Sequence, residues 1–219
     1  MNILVIDTSL SMLGVAIISN DEILKEKIVK SDRKHSEYVM EEIKNILEEV
    51  NIKVKDLDKI IVTIGPGSYT GTRVGVTIAK TLAYLLDIPL VGISSLQAYS
   101  LAIEKEGYII PIIDARGNTF YAGVYDKNYK PVIPDNHYTK EELLDMIKKI
   151  KGEITFIGDG LNIIGDSLNG EKFLNIEIVP GKLGLFAKDF PETNAHALKP
   201  NYLKLTDAEK KFNKGGKDA

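Results

Sequence analysis

The 219 residues carry 28 lysines and arginines against 31 aspartates and glutamates, a net charge of -3, so the molecule as a whole has no broad positive field for a phosphate backbone. No cysteine is present, which excludes disulfides, thiolate metal sites and a cysteine nucleophile. An apolar fraction of 44% with 27% charged residues is enough to build a core, and the length suits two small lobes better than one domain. Met1-Asn2-Ile3-Leu4 has no basic leader, and the longest apolar stretch, Leu82 to Ile93, is interrupted by Asp87 and Pro89. A soluble cytoplasmic protein with no membrane partner is expected.

Along the chain, Ile3 to Asp7, Met12 to Ser19 and Glu22 to Val29 are short β-branched or alternating runs, and they predict three strands, at least two of them in a hairpin. Val39, Ile43, Ile46, Leu47 and Val50 recur at helical spacing, Lys59 to Ile64 reads as a buried strand, and Gly71 to Leu86 is helical again. The order is βββαβα. It restarts with strands at Ile109 to Asp114, Phe120 to Tyr125 and Lys130 to Ile133, a helix from Glu141 to Ile150, a strand from Ile154 to Ile157 and a short helix around Leu161 to Leu168. Both copies end their first strand with an acid, Val5-Ile6-Asp7 and Ile112-Ile113-Asp114. The fold class expected is therefore α/β, with duplicated lobes similar to the actin, Hsp70 and sugar-kinase (ASKHA) superfamily; the alternative is two unrelated α/β lobes. Residues 1–106 would form the first, partner-docking lobe, 107–205 the second, and 206–219 a flexible, solvated tail.

Between the Lys59 strand and the following helix lies Ile64-Gly65-Pro66-Gly67-Ser68-Tyr69-Thr70-Gly71-Thr72-Arg73. A helix N-terminus after a glycine loop can bind an anion. The spacing fails as a P-loop, because five residues separate Gly65 from Gly71 and Thr72 stands where lysine is needed. It fails as a dinucleotide fingerprint too, since Thr70 takes the place of the third glycine and no acid ends the strand at Val91 to Ile93. Turn formation is the preferred reading of these glycines, with anion binding second.

The apolar and small positions of the helix after the loop cover an arc of roughly 200°, wider than one buried face requires. Val74, Ile78, Leu82 and Leu85 form a bulky half, expected to pack on the lobe's own sheet. Gly71, Gly75, Ala79 and Ala83 recur every fourth residue, a ridge that would let another helix approach closely. The chain's own first helix is one possible neighbour, and a helix of a partner chain is the one expected. Candidate partner-interface residues are Gly71, Thr72, Gly75, Val76, Ala79 and Ala83, with His35 and Val39 from the first helix.

Gly65-Pro66-Gly67-Ser68-Tyr69-Thr70-Gly71-x-Arg73-x-Gly75-x-x-x-Ala79-Lys80 resembles the signature of the TsaB family. Ile6-Asp7-Thr8-Ser9, His35-Ser36-Glu37, Asp114-Ala115-Arg116 with Tyr121-Ala122, and Pro200-Asn201-Tyr202-Leu203-Lys204 agree with it, the last with lysine where arginine is common. The resemblance spans nearly the whole chain, and the Gly-Pro-Gly stretch is shared with the catalytic relatives of the TsaD type. Those relatives carry a His-x-x-x-His pair that puts two imidazoles on one helix face for a metal. Here His35, His137 and His196 are scattered, and no Ser/His/Asp arrangement is legible for a peptidase.

The resemblance implies a non-catalytic scaffold subunit that pairs with a TsaD-like transferase through helices of the first lobe. A TsaE-like ATPase would join the pair, with ATP or ADP and metal on those partner subunits and tRNA reaching this chain only indirectly. In isolation the chain could form a homodimer through the same ridge. The rival reading is an independent ATP-binding enzyme or sensor of the same superfamily, with Asp7, Thr8, Ser9 and Asp114 as its nucleotide-facing residues.

Overall fold

The computed structural model describes residues 1–30, 35–174 and 176–204, with the side chains of residues 35–37 left out of the description. The tail expected at 206–219 lies outside the described residues.

The first lobe runs β1 (Asn2–Asp7), β2 (Met12–Ser19), β3 (Glu22–Lys30), α1 (His35–Glu49), β4 (Lys59–Thr63), α2 (Tyr69–Leu86), β5 (Leu90–Ile93) and α3 (Ser95–Ser100). The second repeats the order with β6 (Tyr108–Asp114), β7 (Thr119–Tyr125), β8 (Pro131–Thr139), α4 (Lys140–Ile147), β9 (Ile154–Ile157), α5 (Leu161–Ile164) and β10 (Glu171–Phe173). A last helix, α6 (Pro180–Ala187), follows. The sheets have matching strand orders, β3-β2-β1-β4-β5 and β8-β7-β6-β9-β10. In each, the first strand pairs antiparallel with the second and parallel with the fourth. Asp7 and Asp114 therefore end topologically equivalent central strands, as the duplication requires.

β1 is covered on both faces, which explains its uninterrupted apolar run. Leu4 and Ile6 pack with Val39, Ile43 and Ile46 of α1 and with Val76, Ala79 and Ala83 of α2. Ile3 and Val5 pack instead with Leu183 and Ala187 of α6. Pro180 stands in the first turn of α6, where its missing N–H costs nothing. Gly184 lets the helix lie flush, since a Cβ there would come 2.8 Å from Val5 Cγ2 and 2.6 Å from Ile18 Cγ1.

This corrects the expected boundary. The chain crosses to the second lobe at Gly107, but α6 returns to cover the first sheet, so 107–205 is not one lobe. Burial of the back of β1 requires a cover, and α6 supplies it together with Ala98 of α3 and Leu101.

After α6 the chain continues as a strap along the first lobe. Thr193 N–H donates to Leu90 O at 2.7 Å, Leu198 is buried in the core beside Gly92, and Asn201 N–H donates to Ile64 O at 2.6 Å. Lys204 then crosses to the second lobe, where its Nζ donates to Ala115 O at 2.7 Å and Arg116 O at 3.2 Å. A second tie lies at the seam between the lobes, where Ser94 Oγ and Tyr125 Oη both donate to the carboxylate of Asp135. Burial pushes the Asp135 carboxyl above its ordinary range, opposed by those two donors.

Candidate functional site: the strand ends, the glycine loop and the faces of α2

The loop between β4 and α2 folds back over the end of β1. Ser68 caps α2 by accepting from Gly71 N–H at 3.2 Å, and Ser68 N–H itself donates to Ser9 O at 2.7 Å. Gly65 N–H donates to Ser95 Oγ at 3.0 Å, and Thr72 N–H to Ser68 O at 2.9 Å. These four amides are engaged within the chain. Gly67 is required because its Cβ would lie 2.1 Å from Ser9 O. Turn formation and close packing, rather than a phosphate cradle, account for the glycines.

Beneath the loop Asp7 is 3% exposed. Its Oδ1 accepts from Ser9 N–H at 3.0 Å, Ser9 Oγ at 2.7 Å and Thr63 Oγ1 at 2.7 Å. Burial raises its pKa, and these donors oppose the rise. Thr8 and Ser9 are buried as well. Asp7, Thr8 and Ser9 are thus corrected from nucleotide-facing residues to members of a closed hydrogen-bond cluster, although Ser9 also reaches the edge of the cleft.

The helix ridge is corrected in the same way. Gly71, Thr72, Gly75, Val76, Ala79 and Ala83 form the buried side of α2, and Val39 is buried under α1. The reason is the close approach of β1. Thr8 Oγ1 donates to Gly71 O at 2.7 Å, and a Cβ on Gly75 would stand 2.2 Å from that hydroxyl oxygen. The small residues seat the helix on its own strand. The bulky positions Val74, Ile78 and Leu82 are only partly buried, and Leu85 is 70% exposed. His35 opens α1, and its side chain lies outside the described residues.

The second lobe arranges its acids differently. Asp114 is partly exposed at the rim of a cleft of about 600 Å³ between the lobes, whose lining includes Ser68, Thr70, Arg116, Tyr121 and Asp159. Asp159 was not singled out in the sequence, although Gly158-Asp159-Gly160 occupies after β9 the place that Gly65-Pro66-Gly67 holds after β4. The signal was a Gly-x-Gly directly behind an apolar strand. Asp159 is exposed, its Oδ1 accepts from Asp114 N–H at 3.0 Å, and partial desolvation of the carboxyl raises its pKa, with the charge of Asp114 adding to the rise. Among the described residues no group of three or more His, Asp or Glu side chains is placed to hold a metal. None of their helices is long and apolar enough to cross a membrane.

Comparison with known proteins follows the same lines. The family model for TsaD, tRNA N6-adenosine threonylcarbamoyltransferase, matches residues 22–212. The tRNA threonylcarbamoyladenosine biosynthesis protein TsaB of Bacillus subtilis is 36% identical over 97% of this chain and 98% of its own length. The Escherichia coli protein of that name is 28% identical over 73% of this chain and 72% of its own. Among solved structures, an uncharacterized Pseudomonas aeruginosa protein with similarity to peptidase YeaZ superposes with a TM-score of 0.78 at 21% identity, covering 93% of this chain and 99% of that one. The ethanolamine utilization protein EutJ of Carboxydothermus hydrogenoformans gives 0.50 at 12% identity, over 84% and 89%, a likeness of fold alone.

Proposed function

The chain belongs to the TsaB family, and on that premise we propose that it is a non-catalytic subunit of a cytoplasmic assembly that forms threonylcarbamoyladenosine in tRNA. It pairs with a TsaD-like transferase and supports it. A TsaE-like ATPase joins the pair, and ATP or ADP and metal bind on those partners.

The observation that carries this reading is the apolar flank of α2. Val74, Ile78 and Leu82 are left partly uncovered, and Leu85 is 70% exposed. α1, which packs beside α2, adds exposed Tyr38 and Met40. Scattered exposed apolar residues are ordinary, but a row along one helix marks an interaction surface. The buried ridge serves this surface indirectly: by locking α2 onto Thr8 it presents a rigid flank, and rigidity lowers the entropic cost of docking.

Support for a non-catalytic role comes from the acids and the loop. Asp7 is enclosed, and the amides of Gly65, Ser68, Gly71 and Thr72 already have acceptors. Ser94, the serine nearest a carboxylate in the seam, cannot act as a peptidase nucleophile: its hydroxyl donates to Asp135 while its oxygen caps α3 by accepting from Leu96 and Gln97 N–H.

The rival reading, an independent nucleotide-binding enzyme, draws on the cleft with Asp114 and Asp159. One experiment separates the two. A TsaD-like protein is co-purified with this chain and assayed for tRNA modification with and without it. Modification that depends on the chain, with no ATP turnover by the chain alone, is expected. Turnover by the isolated chain that is lost in Asp114→Ala would favour the rival.

A further inference from the structure

The opposite flank of α2 has a different chemistry. At about 100° per residue, Arg73, Thr77 and Lys80 share one stripe, turned roughly 110° from Val74, Ile78 and Leu85. This stripe faces the strap. Arg73 Nε donates to Tyr202 Oη at 2.6 Å, and its guanidinium carbon lies 3.9 Å from the centre of the Tyr69 ring. Lys80 Nζ donates to Leu198 O at 2.8 Å. The Tyr84 and His196 rings meet edge to face at 5.0 Å. Between helix and strap lies a groove with a cavity of about 420 Å³, lined by Arg73, Lys80 and Lys199 and by no carboxylate.

The sign of this groove runs against the molecule. Of 31 acidic residues in the chain, none falls in α2 or in the strap from Thr193 to Lys204, whereas these two segments carry Arg73, Lys80, Lys199 and Lys204. No ion pair compensates any of the four among the described residues. Lys80 and Lys204 spend their hydrogen bonds on neutral carbonyls, which hold the ammonium groups in place without cancelling their charge. The first acids appear past Tyr84 and His196, where Asp87 and Glu192 line the neighbouring pocket. Glu192 is paired there with Lys59 at 2.9 Å.

We propose that this groove binds a single-stranded segment of RNA directly, phosphates on Arg73, Lys80 and Lys199 and bases on the exposed rings at its two ends. Tyr69 and Tyr202 are each 45% exposed at one end, and Tyr84 is 63% exposed at the other, about 22 Å along the helix. Cations flanked by exposed aromatic rings are the arrangement that single-stranded nucleic acid uses, charge for the backbone and stacking for the bases. An acidic peptide would use the cations and leave the rings unoccupied. A net charge of -3 argues only against a broad field and does not bear on a local stripe. The identification of the RNA as a tRNA rests on the assembly reading; the contact itself does not.

The test measures binding of an unmodified tRNA transcript, and of polyglutamate, to the full chain alone and to its complex with a TsaD-like partner. Lys199→Glu and Arg73→Gln are compared with wild type, and pairing with the partner is measured on the same samples. Lys199 is exposed, so its variant leaves the fold intact, which a thermal melt verifies. Expected is a loss of tRNA affinity of about tenfold in Lys199→Glu and a shallower salt dependence in both variants, with pairing unchanged. Tyr84→Ala should weaken tRNA binding without altering the salt slope. The proposal is overturned if wild type binds no tRNA in either form, if the variants bind as wild type does, if polyglutamate competes equally, or if pairing falls together with RNA binding. A chain that fails to pair yet binds tRNA through these residues would sink the assembly reading and leave the groove standing.

Discussion

The two lobes bring the same backbone position to opposite uses. In the first, the acid that ends the central strand, Asp7, is enclosed beneath a glycine loop that carries no acid of its own. In the second, the strand-end acid Asp114 is only partly buried at the cleft rim, and a further, exposed acid, Asp159, stands beside it on the loop itself. Both loops press glycines onto the strand end: a Cβ at Gly67 would meet Ser9 O at 2.1 Å, and one at Gly158 would meet Ile112 O at 2.3 Å. Duplication therefore preserved the strand-to-loop packing but buried the strand-end charge in the first lobe only. The topology fixes where an acid can stand, and the covering loop decides whether it faces solvent.

The comparison breaks first at the glycines. Gly67→Ala and Gly158→Ala should each cost about 3 kcal/mol or more in chemical denaturation, because backbone carbonyls cannot retreat as side chains can. Gly117→Ala, at φ 68° with nothing within 4 Å of its Cβ, should cost only about 1 kcal/mol. Equal tolerance at all three positions would show that the loops do not press on the strands.

Next come the acids. Asp7→Ala strands the hydroxyls of Ser9 and Thr63 in the core and should cost about 3 kcal/mol, whereas Asp114→Ala should cost under about 1 kcal/mol. Urea titration of the two variants checks the ratio, and a reversed order would mean that the buried cluster is not structural.

Gly75→Ala should destabilise by about 2 kcal/mol despite the better helix propensity of alanine, since the new methyl meets Thr8 Oγ1. In a Thr8→Ala background the penalty should shrink, and a double-mutant cycle measures the coupling. Additive effects would separate the helix from the strand end and undo the reason given for the small residues.

A smaller effect follows from pH. Burial raises the folded-state pKa of Asp7, so the folded protein binds a proton that the unfolded chain releases. Its contribution to stability is present below the ordinary carboxylate pKa and is lost as pH rises through the raised folded value. Asp7→Asn should therefore flatten the decline of stability between acidic and neutral pH. An unchanged pH profile in that variant would place the dependence on the other raised carboxyls, Asp135 and Asp159.

Much of this architecture was legible in the chain. Period-two runs marked the early strands, the repeated order exposed the duplication, and the paired acids located the strand ends. What could not be read were features set by distant packing. The helical period of α2 gives the width of its apolar arc and not its rotation. Periodicity alone turns the bulk inward, whereas the narrow gap above Thr8 admits only Gly71 and Gly75. α6 contains apolar residues all round, so nothing local says which sheet it covers. The three-residue β10 is too short to show a period, and Gly158-Asp159-Gly160 has no spacing that separates a covering loop from an ordinary turn.

The central claim is that α2 is seated inward by its small residues and offers its bulky flank to a catalytic partner. The most direct measurement is the affinity of Leu85→Glu for a TsaD-like protein, taken beside its thermal melt. Leu85 is 70% exposed, so the melt should match wild type, while burial of a carboxylate in an apolar contact should weaken pairing by at least tenfold. Pairing as tight as wild type would place the partner surface elsewhere and contradict the account.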